Sequence, residues 1–566
     1  MPVFRIGVDD FQELIDEGGY FVDKSLLIRE VIEGNKVVLL PRPRRFGKTL
    51  NMTMLRYFFE RSDEDRRYLF QNLAIASYPD CMQHQGQYPV IFISLKDVKG
   101  TTWNEMRNRL IEKIAELLIP LPYLRPDLPP IYQRGFDALY TGTPDDATLK
   151  ASLKNLITWL YTFHKKPVIV LIDEYDTPMI EGWQNGYYDK IADFLRSWLG
   201  GGLKHENAHA LYRAVITGIL RVAKESIFSG LNNLFVSTSL LPNTLSTLFG
   251  FTEEEVLQIL RDFGRLDQAD IVRDWYDGYR FGSQTIYNPW SVSMYISQYP
   301  APPAPYWLNT ASNTLVYEEL GKGGIGIKQD LEQLLSGEII RYPITETITF
   351  RDIGKNPAHI WSFLYFSGYL RAEDPRFADY NPTLLTYALS IPNLEISTAY
   401  QQFVNNIFGN GDTTAGMKSF VSFFLESRSQ AVLEDTLQNL ILSLVSIHDL
   451  AKLPEAVFHA FVLGLLANLR AVYEIRSQPE TGFGRADILM IPKDERFPVA
   501  YVIEFKSVRP DEDIEESAEK ALLQIQKKYY DTALRSAGIH PSRIRRLAII
   551  LQGKKVVVRE GGQEGS

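Results

Sequence analysis

Lys48 stands in Arg45-Phe46-Gly47-Lys48-Thr49-Leu50, directly after the apolar run Val37 to Leu40. A glycine, a lysine and a hydroxyl at the start of a helix suit phosphate: backbone N–H groups converge on it, the ammonium reaches it, and the hydroxyl holds a magnesium ion. The usual spacing of such loops places a first glycine at position 42, where this chain has arginine. That glycine eases a turn and does not contact phosphate, and Pro41 and Pro43 can shape the turn instead. A second set closes the apolar run Val168 to Ile172, where Asp173 and Glu174 follow. Two acids at a strand end suit magnesium-assisted nucleotide hydrolysis, with Asp173 in the magnesium shell and Glu174 polarising the attacking water. Their plain alternative is to cap the next helix. Thr217, at the end of "RAVIT", is placed to sense a terminal phosphate, with Arg221 one turn on, although a Thr-Gly pair also simply ends strands.

A third set lies near the C-terminus. Asp487 heads one apolar run and Glu504-Phe505-Lys506 ends the next. Strand alternation puts Glu504 and Lys506 on one face, and a hairpin brings Asp487 to them. Two carboxylates there can hold magnesium while the lysine orients water and offsets phosphate charge, which is the chemistry of metal-dependent phosphodiester hydrolysis. An aspartate with Glu-x-Lys is a weak pattern alone; the Gly484-Arg485 lead and the apolar strand before Glu504 strengthen it.

The elements that must position these residues follow from apolar periodicity. Short apolar runs at 36–40, 89–95, 167–172 and 213–219 read as buried parallel strands, with connections long enough for crossover helices such as 102–118. This predicts an α/β domain over residues 1–245. Residues 246–445 turn mainly helical, with a capping box at Thr252 and Glu255. Residues 446–566 read as helix (454–469), strand (486–491), strand (500–507), helix (516–538) and strand (546–552).

Composition narrows the classes. The chain has 566 residues, 45% apolar and 23% charged, which is ordinary globular protein and longer than one core usually serves. No basic segment followed by an apolar run opens the sequence, and no apolar stretch reaches bilayer length, so a cytoplasmic protein without membrane contact is expected. The lone Cys81 reads as a buried apolar residue. Eight scattered histidines and the absence of G-x-S-x-G argue against a histidine metalloenzyme or a serine hydrolase. A net charge of −9 gives no global pull toward nucleic acid, yet Ala521 to Arg559 holds nine basic residues against one acid, Asp531.

With these motifs, residues 1 to about 320 resemble the bacterial and archaeal AAA-ATPase-like family that is commonly joined to a PD-(D/E)XK nuclease domain. The matching stretches are "GGYFVDKSLLI", "RPRRFGKTLNMTML", "VLIDEYDTP", "TGILRVAKESIFSGLNNL", "WYDGYRFG" with "IYNPWSV", and "YWLNTASN". Arginine at 42 is itself part of that resemblance. It implies a P-loop NTPase sheet in which Arg45, Phe46, Gly47, Lys48, Thr49, Leu50, Asp173 and Thr217 hold ATP, with Thr49 and Asp173 on Mg2+ and Glu174 catalytic. It also sets Tyr20 to Lys24 beside the adenine, against a plain reading of that stretch as a helix start capped by Asp23. "WYDGYRFG" with "IYNPWS" reads as packed core before base stacking.

The C-terminal stretch, 450–560, resembles the restriction-endonuclease-like nuclease of the same paired family. That implies Asp487 and Glu504 as metal ligands, Lys506 as their catalytic partner, and adds Glu455, Gln524 and Tyr529. Where relatives often carry an acid, this chain has Gln478, with Glu480 two residues on as a substitute. The basic run then adjoins a phosphodiester site and either grips the backbone or is a solvated face. The expected function is an ATP-binding and ATP-hydrolysing protein coupled to a magnesium nuclease acting on nucleic acid, DNA before RNA. The alternative is a nucleotide-switched regulatory or interaction protein whose nuclease-like domain binds nucleic acid but cuts poorly. AAA-type relatives often assemble, which allows a homo-oligomer with Arg221 reaching a neighbour's nucleotide.

Overall fold

The computed structural model describes residues 2–204, 209–220, 228, 231–307, 325–346, 356–379, 381–400, 413–426, 428–444, 462–463, 465–466, 469, 472–493, 496–509, 511–553 and 555–561. The chain divides into two compact units, one of residues 1–311, 342–388 and 392–395, the other of residues 312–341, 389–391 and 396–566.

The first unit is built on a five-stranded sheet. Its strands are β1 (Val37–Pro41), β2 (Val90–Ser94), β3 (Val168–Asp173), β4 (Leu211–Gly218) and β5 (Leu234–Val236), in the order β2-β3-β4-β1-β5. All pairings are parallel. Every residue of β1 and β3 is buried, which is why these strands read as unbroken Val/Ile/Leu runs. Register sets Pro41 beside Gly218 and Ser94 beside Asp173, so the carboxyl ends of the strands carry the candidate residues together. Helices Leu26–Glu33, Lys48–Phe59, Trp103–Leu118 and Asp146–His164 pack on the strands.

The helix Glu253–Asp262 starts with the expected capping box, Thr252 and Glu255. Around it, Tyr276, Tyr287, Val292 and Tyr295 form a buried cluster, and β6 (Tyr279–Phe281) pairs with β7 (Gln284–Ile286) in a short ribbon. The aromatic stretch Trp275 to Ser291 therefore builds core. The middle of the chain also has strands at Arg371–Ala378 and Asn381–Ser390, which helical periodicity does not announce.

In the second unit the sheet runs β8 (Tyr473–Ser477), β11 (Ile488–Pro492), β12 (Ala500–Ser507), β13 (Ile544–Gln552), β14 (Lys555–Glu560). Only β12 and β13 are parallel; the other pairs are antiparallel. Between β8 and β11 a two-stranded ribbon, β9 (Glu480–Thr481) and β10 (Gly484–Arg485), turns back on itself. The helix Ile514–Lys527 starts at Asp513, whose carboxylate accepts from the N–H groups of Glu515 and Glu516. The helix expected at 516–538 is broken: Tyr529 takes a left-handed φ of 53°, and a short helix, Thr532–Ser536, follows. The helix expected at 454–469 falls mostly outside the described residues, as does Glu455. Among the described residues no helix is long and apolar enough to cross a membrane.

Candidate functional site

The loop after β1 turns into the helix Lys48–Phe59 through Gly47, whose φ of 76° is left-handed and open to glycine at least cost. Thr49, in the first turn, donates through Oγ1 to Asp173 Oδ2 at 2.8 Å, and Thr217 Oγ1 donates to Asp173 Oδ1 at 2.5 Å. One hydroxyl thus meets each oxygen of a fully buried carboxylate. Burial pushes the Asp173 carboxyl above its ordinary range, against the pull of the Thr217 and Thr49 hydrogen bonds. Lys48 is buried too, and its ammonium donates to the carbonyls of Arg42 at 3.1 Å and Pro43 at 2.8 Å. Burial draws the Lys48 ammonium below its ordinary range, with Glu174 and Asp173 nearby opposing that. A buried cation bonded to neutral carbonyls beside a helix N-terminus fits an anionic phosphate group.

Glu174 follows with φ 51°, and Arg45 in the loop has φ 65°. Left-handed non-glycine backbone costs on the order of 1–2 kcal/mol and gathers at functional sites. Glu174 Oε2 accepts from Thr177 Oγ1 at 3.3 Å, a local contact at the start of the next helix. Leu50 lies in the first turn of the Lys48 helix. Arg45 stacks on Trp290 at 4.2 Å, and Phe46 is buried against Tyr279 and Phe281.

Arg42 has a role that its position does not announce. It is buried, donating through Nη1 to the carbonyls of Pro41 at 2.8 Å and Ser237 at 2.7 Å, and through Nη2 to Ser237 Oγ at 3.0 Å. Its guanidinium also lies over Phe281 at 5.0 Å. Burial pulls its pKa down to about 10. The residue in place of the first glycine therefore pins the loop to the chain after β5. Asp176 is likewise a buried carboxylate unmarked by pattern, accepting from the N–H groups of Ile219 at 2.8 Å and Leu220 at 3.0 Å. By position it precedes the helix Thr177–Gln184, but its side chain makes no capping bond there. Lys24 is buried on Glu255, at 2.6 and 2.7 Å, and Tyr20 donates to Asp262 at 2.6 Å. Asp23 accepts from Ser25 N at 2.8 Å, but Ser25 is the cap of the helix Leu26–Glu33. Arg221 lies outside the described residues.

In the second unit, the register Ile488 to Ile503 brings Asp487 beside Glu504, and Asp487 Oδ2 accepts from Phe505 N at 2.7 Å. Glu504 is 2% exposed; its Oε1 accepts from Lys506 Nζ at 3.0 Å and from Gln524 Nε2 at 2.5 Å. Its Oε2 is buried and has no hydrogen-bond partner among the described residues. Burial, then the neighbouring Asp487 charge, push the Glu504 carboxyl up to about 7, with Lys506 opposing. A bare buried oxygen on one of two neighbouring carboxylates fits a divalent cation, whose charge would replace the missing donor. Among the described residues no group of three or more His, Cys, Asp or Glu gathers at one point.

Gln524 also donates to the phenol oxygen of Tyr530 at 3.1 Å. Tyr529, the tyrosine singled out from sequence, instead points outward at 56% exposure, because the left-handed turn puts successive side chains on opposite sides. Glu480 is not drawn to Glu504: it pairs with Arg485 across the exposed ribbon at 3.1 Å. Gln478 has φ 47° and donates its N–H to the Asp487 carbonyl at 2.8 Å, which is a backbone role. The basic run is not one free patch. Arg535 and Arg546 share Asp531, Arg545 pairs with Glu560, and Arg559 bridges Glu515 and Glu434. Lys527, Lys528, Arg543 and Lys555 are the exposed remainder among the described residues.

Two family models match the chain, one toward each end. Residues 5–228 match the family model described as a predicted AAA-ATPase, and residues 453–561 match that of the PD-(D/E)XK nuclease superfamily. An uncharacterized protein in the vnfD 5' region of Azotobacter chroococcum mcd 1 is 27% identical over 401 residues, covering 70% of this chain and 69% of that one. A solved structure, a signal transduction ATPase with numerous domains (STAND) and a tetratricopeptide repeat sensor from Pyrococcus horikoshii, aligns at 12% identity and TM-score 0.24. That alignment covers 80% of this chain and 53% of the other, so the chain spans about half its length.

Proposed function

We propose, for a chain that carries an AAA-ATPase-like domain at residues 5–228 and a PD-(D/E)XK nuclease superfamily domain at residues 453–561, a nucleotide-controlled, metal-dependent nuclease acting on DNA. The observation that carries the reading is the buried, unpartnered Glu504 Oε2 beside Asp487, with Lys506 on the same carboxylate. In this reading Asp487 and Glu504 hold a divalent cation, which supplies Lewis-acid charge and an activated water. Gln524, held by Tyr530, fixes the Glu504 carboxylate, and Lys506 carries positive charge to the phosphodiester. In the first unit Lys48 and the N–H groups after Gly47 receive the phosphates of ATP. Thr49 and Asp173 serve its magnesium, Thr217 holds Asp173 in place, and Glu174 orients the attacking water.

A second reading, a nucleotide-switched protein that binds nucleic acid and cuts poorly, is favoured by the backbone role of Gln478. Cleavage of labelled DNA and RNA by the full-length protein, with and without Mg2+ and ATP, separates them. Mg2+-dependent cutting that responds to ATP is expected. Binding without cutting at any Mg2+ level would leave the second reading standing.

A further inference from the structure

We propose that the exposed ring pair Phe483–Tyr529 is a stacking platform for an unpaired nucleobase of the strand that enters the Glu504 pocket. The substrate is then single-stranded or frayed at the cut. The inference rests on the nuclease reading of that pocket.

Phe483 sits at the tip of the β9–β10 ribbon and is 74% exposed, while Tyr529 is 56% exposed. Their centroids lie 5.9 Å apart at an interplanar angle of 70°. Among the described residues neither ring belongs to the buried clusters of this unit. Tyr529 also occupies a left-handed position just past a helix end, where glycine is the residue of least cost.

The platform is fixed to the carboxylate pocket by short contacts. Gly482, at φ 57°, lets the ribbon close on the turn: a Cβ there would stand 2.0 Å from the Lys528 carbonyl oxygen and 2.4 Å from that of Tyr529. Phe483 N donates to the Lys528 carbonyl at 2.7 Å, and Thr481 Oγ1 donates to the Tyr530 carbonyl at 3.2 Å. Tyr530, the next residue, touches Gln524, which touches Glu504. The rings are thus one residue removed from the hydrogen-bond chain that ends on the metal-facing carboxylate. Exposed Lys527 and Lys528 flank the turn and suit the phosphates on either side of a stacked base, while the ribbon's own charges, Glu480 and Arg485, cancel as a pair. Bases inside a duplex have their faces occupied, whereas an unpaired base offers a free π-face to such a ring pair.

The test is binding of a fluorescent single-stranded oligodeoxynucleotide, and of the same sequence fully paired, to the full-length protein in Ca2+, followed by cleavage in Mg2+. Wild type is expected to favour the single strand. Phe483→Ala with Tyr529→Ala should weaken single-strand binding by about 10- to 100-fold and leave duplex binding nearly unchanged. Phe483→Leu should behave as the alanine variant and Phe483→Trp as wild type, because the π-face, not apolar bulk, is required. An unchanged ratio of single-strand to duplex binding in the double variant overturns the platform. If wild type cuts both substrates equally, the platform falls and the nuclease reading survives; if wild type neither binds nor cuts, both fall.

Discussion

Asp173, at the end of its strand, and Glu504, inside its strand, are both buried carboxylates, yet each oxygen of Asp173 has a hydroxyl donor, whereas Glu504 leaves Oε2 bare among the described residues. The first pocket is closed on itself. Hydroxyl donors hold the acid and the lysine rests on carbonyls, contacts that phosphate and magnesium would replace under the proposed function. The second pocket is electrostatically incomplete, with two acids, one lysine and an oxygen without a hydrogen-bond partner among the described residues. A buried polar atom left without a partner costs about 1–3 kcal/mol, a cost that a bound cation would remove. Under the proposed function the difference matches two tasks, a preformed anion cradle in the first unit and a cation trap in the second.

The largest effects should come from breaking each pocket at its own charge. Lys48→Ala should abolish nucleotide binding, and Asp487→Ala should abolish cutting while ATP hydrolysis continues; fluorescent-nucleotide binding and phosphate release read the two separately. Next, Arg42→Gly restores the usual glycine yet should destabilise the first unit by about 2–4 kcal/mol, since it strands the Ser237 carbonyl and empties a buried volume. Chemical denaturation followed by tryptophan fluorescence would show it. Gln524→Ala removes a donor from Glu504 and should lower Mn2+ affinity by about 10- to 100-fold, as outer-shell losses do.

The smallest effect sharpens the electrostatic contrast. With its carboxyl held up at about 7, folded Glu504 keeps a proton that the unfolded chain, near 4.5, has already lost. Stability contributed by this group is therefore present below 4.5 and lost as pH rises through 7. In a chelator, Glu504→Gln should raise stability by about 1 kcal/mol near pH 8 and change little near pH 4, measurable by thermal shift.

Sequence made the strands of the first sheet legible because parallel strands buried on both faces leave unbroken apolar runs. The Glu504–Lys506 pairing was legible because strand period puts i and i+2 on one face. Other features depended on distant partners. Arg42 is explained by Ser237, 195 residues away, and Arg545 and Arg559 of the basic run pair with Glu560, Glu434 and Glu515 from separate segments. Tyr530, not Tyr529, meets Gln524 because the helix ends at Lys527, where periodicity alone continues it. β5 and the β9–β10 ribbon are too short for an alternation to register.

The cation trap is tested most directly by titrating Mn2+ into nucleotide-free full-length protein carrying Lys48→Ala, followed by electron paramagnetic resonance. The account predicts saturable binding that Asp487→Asn, added to that background, removes. Binding that persists unchanged in the Asp487→Asn protein, or no binding at all, would contradict it.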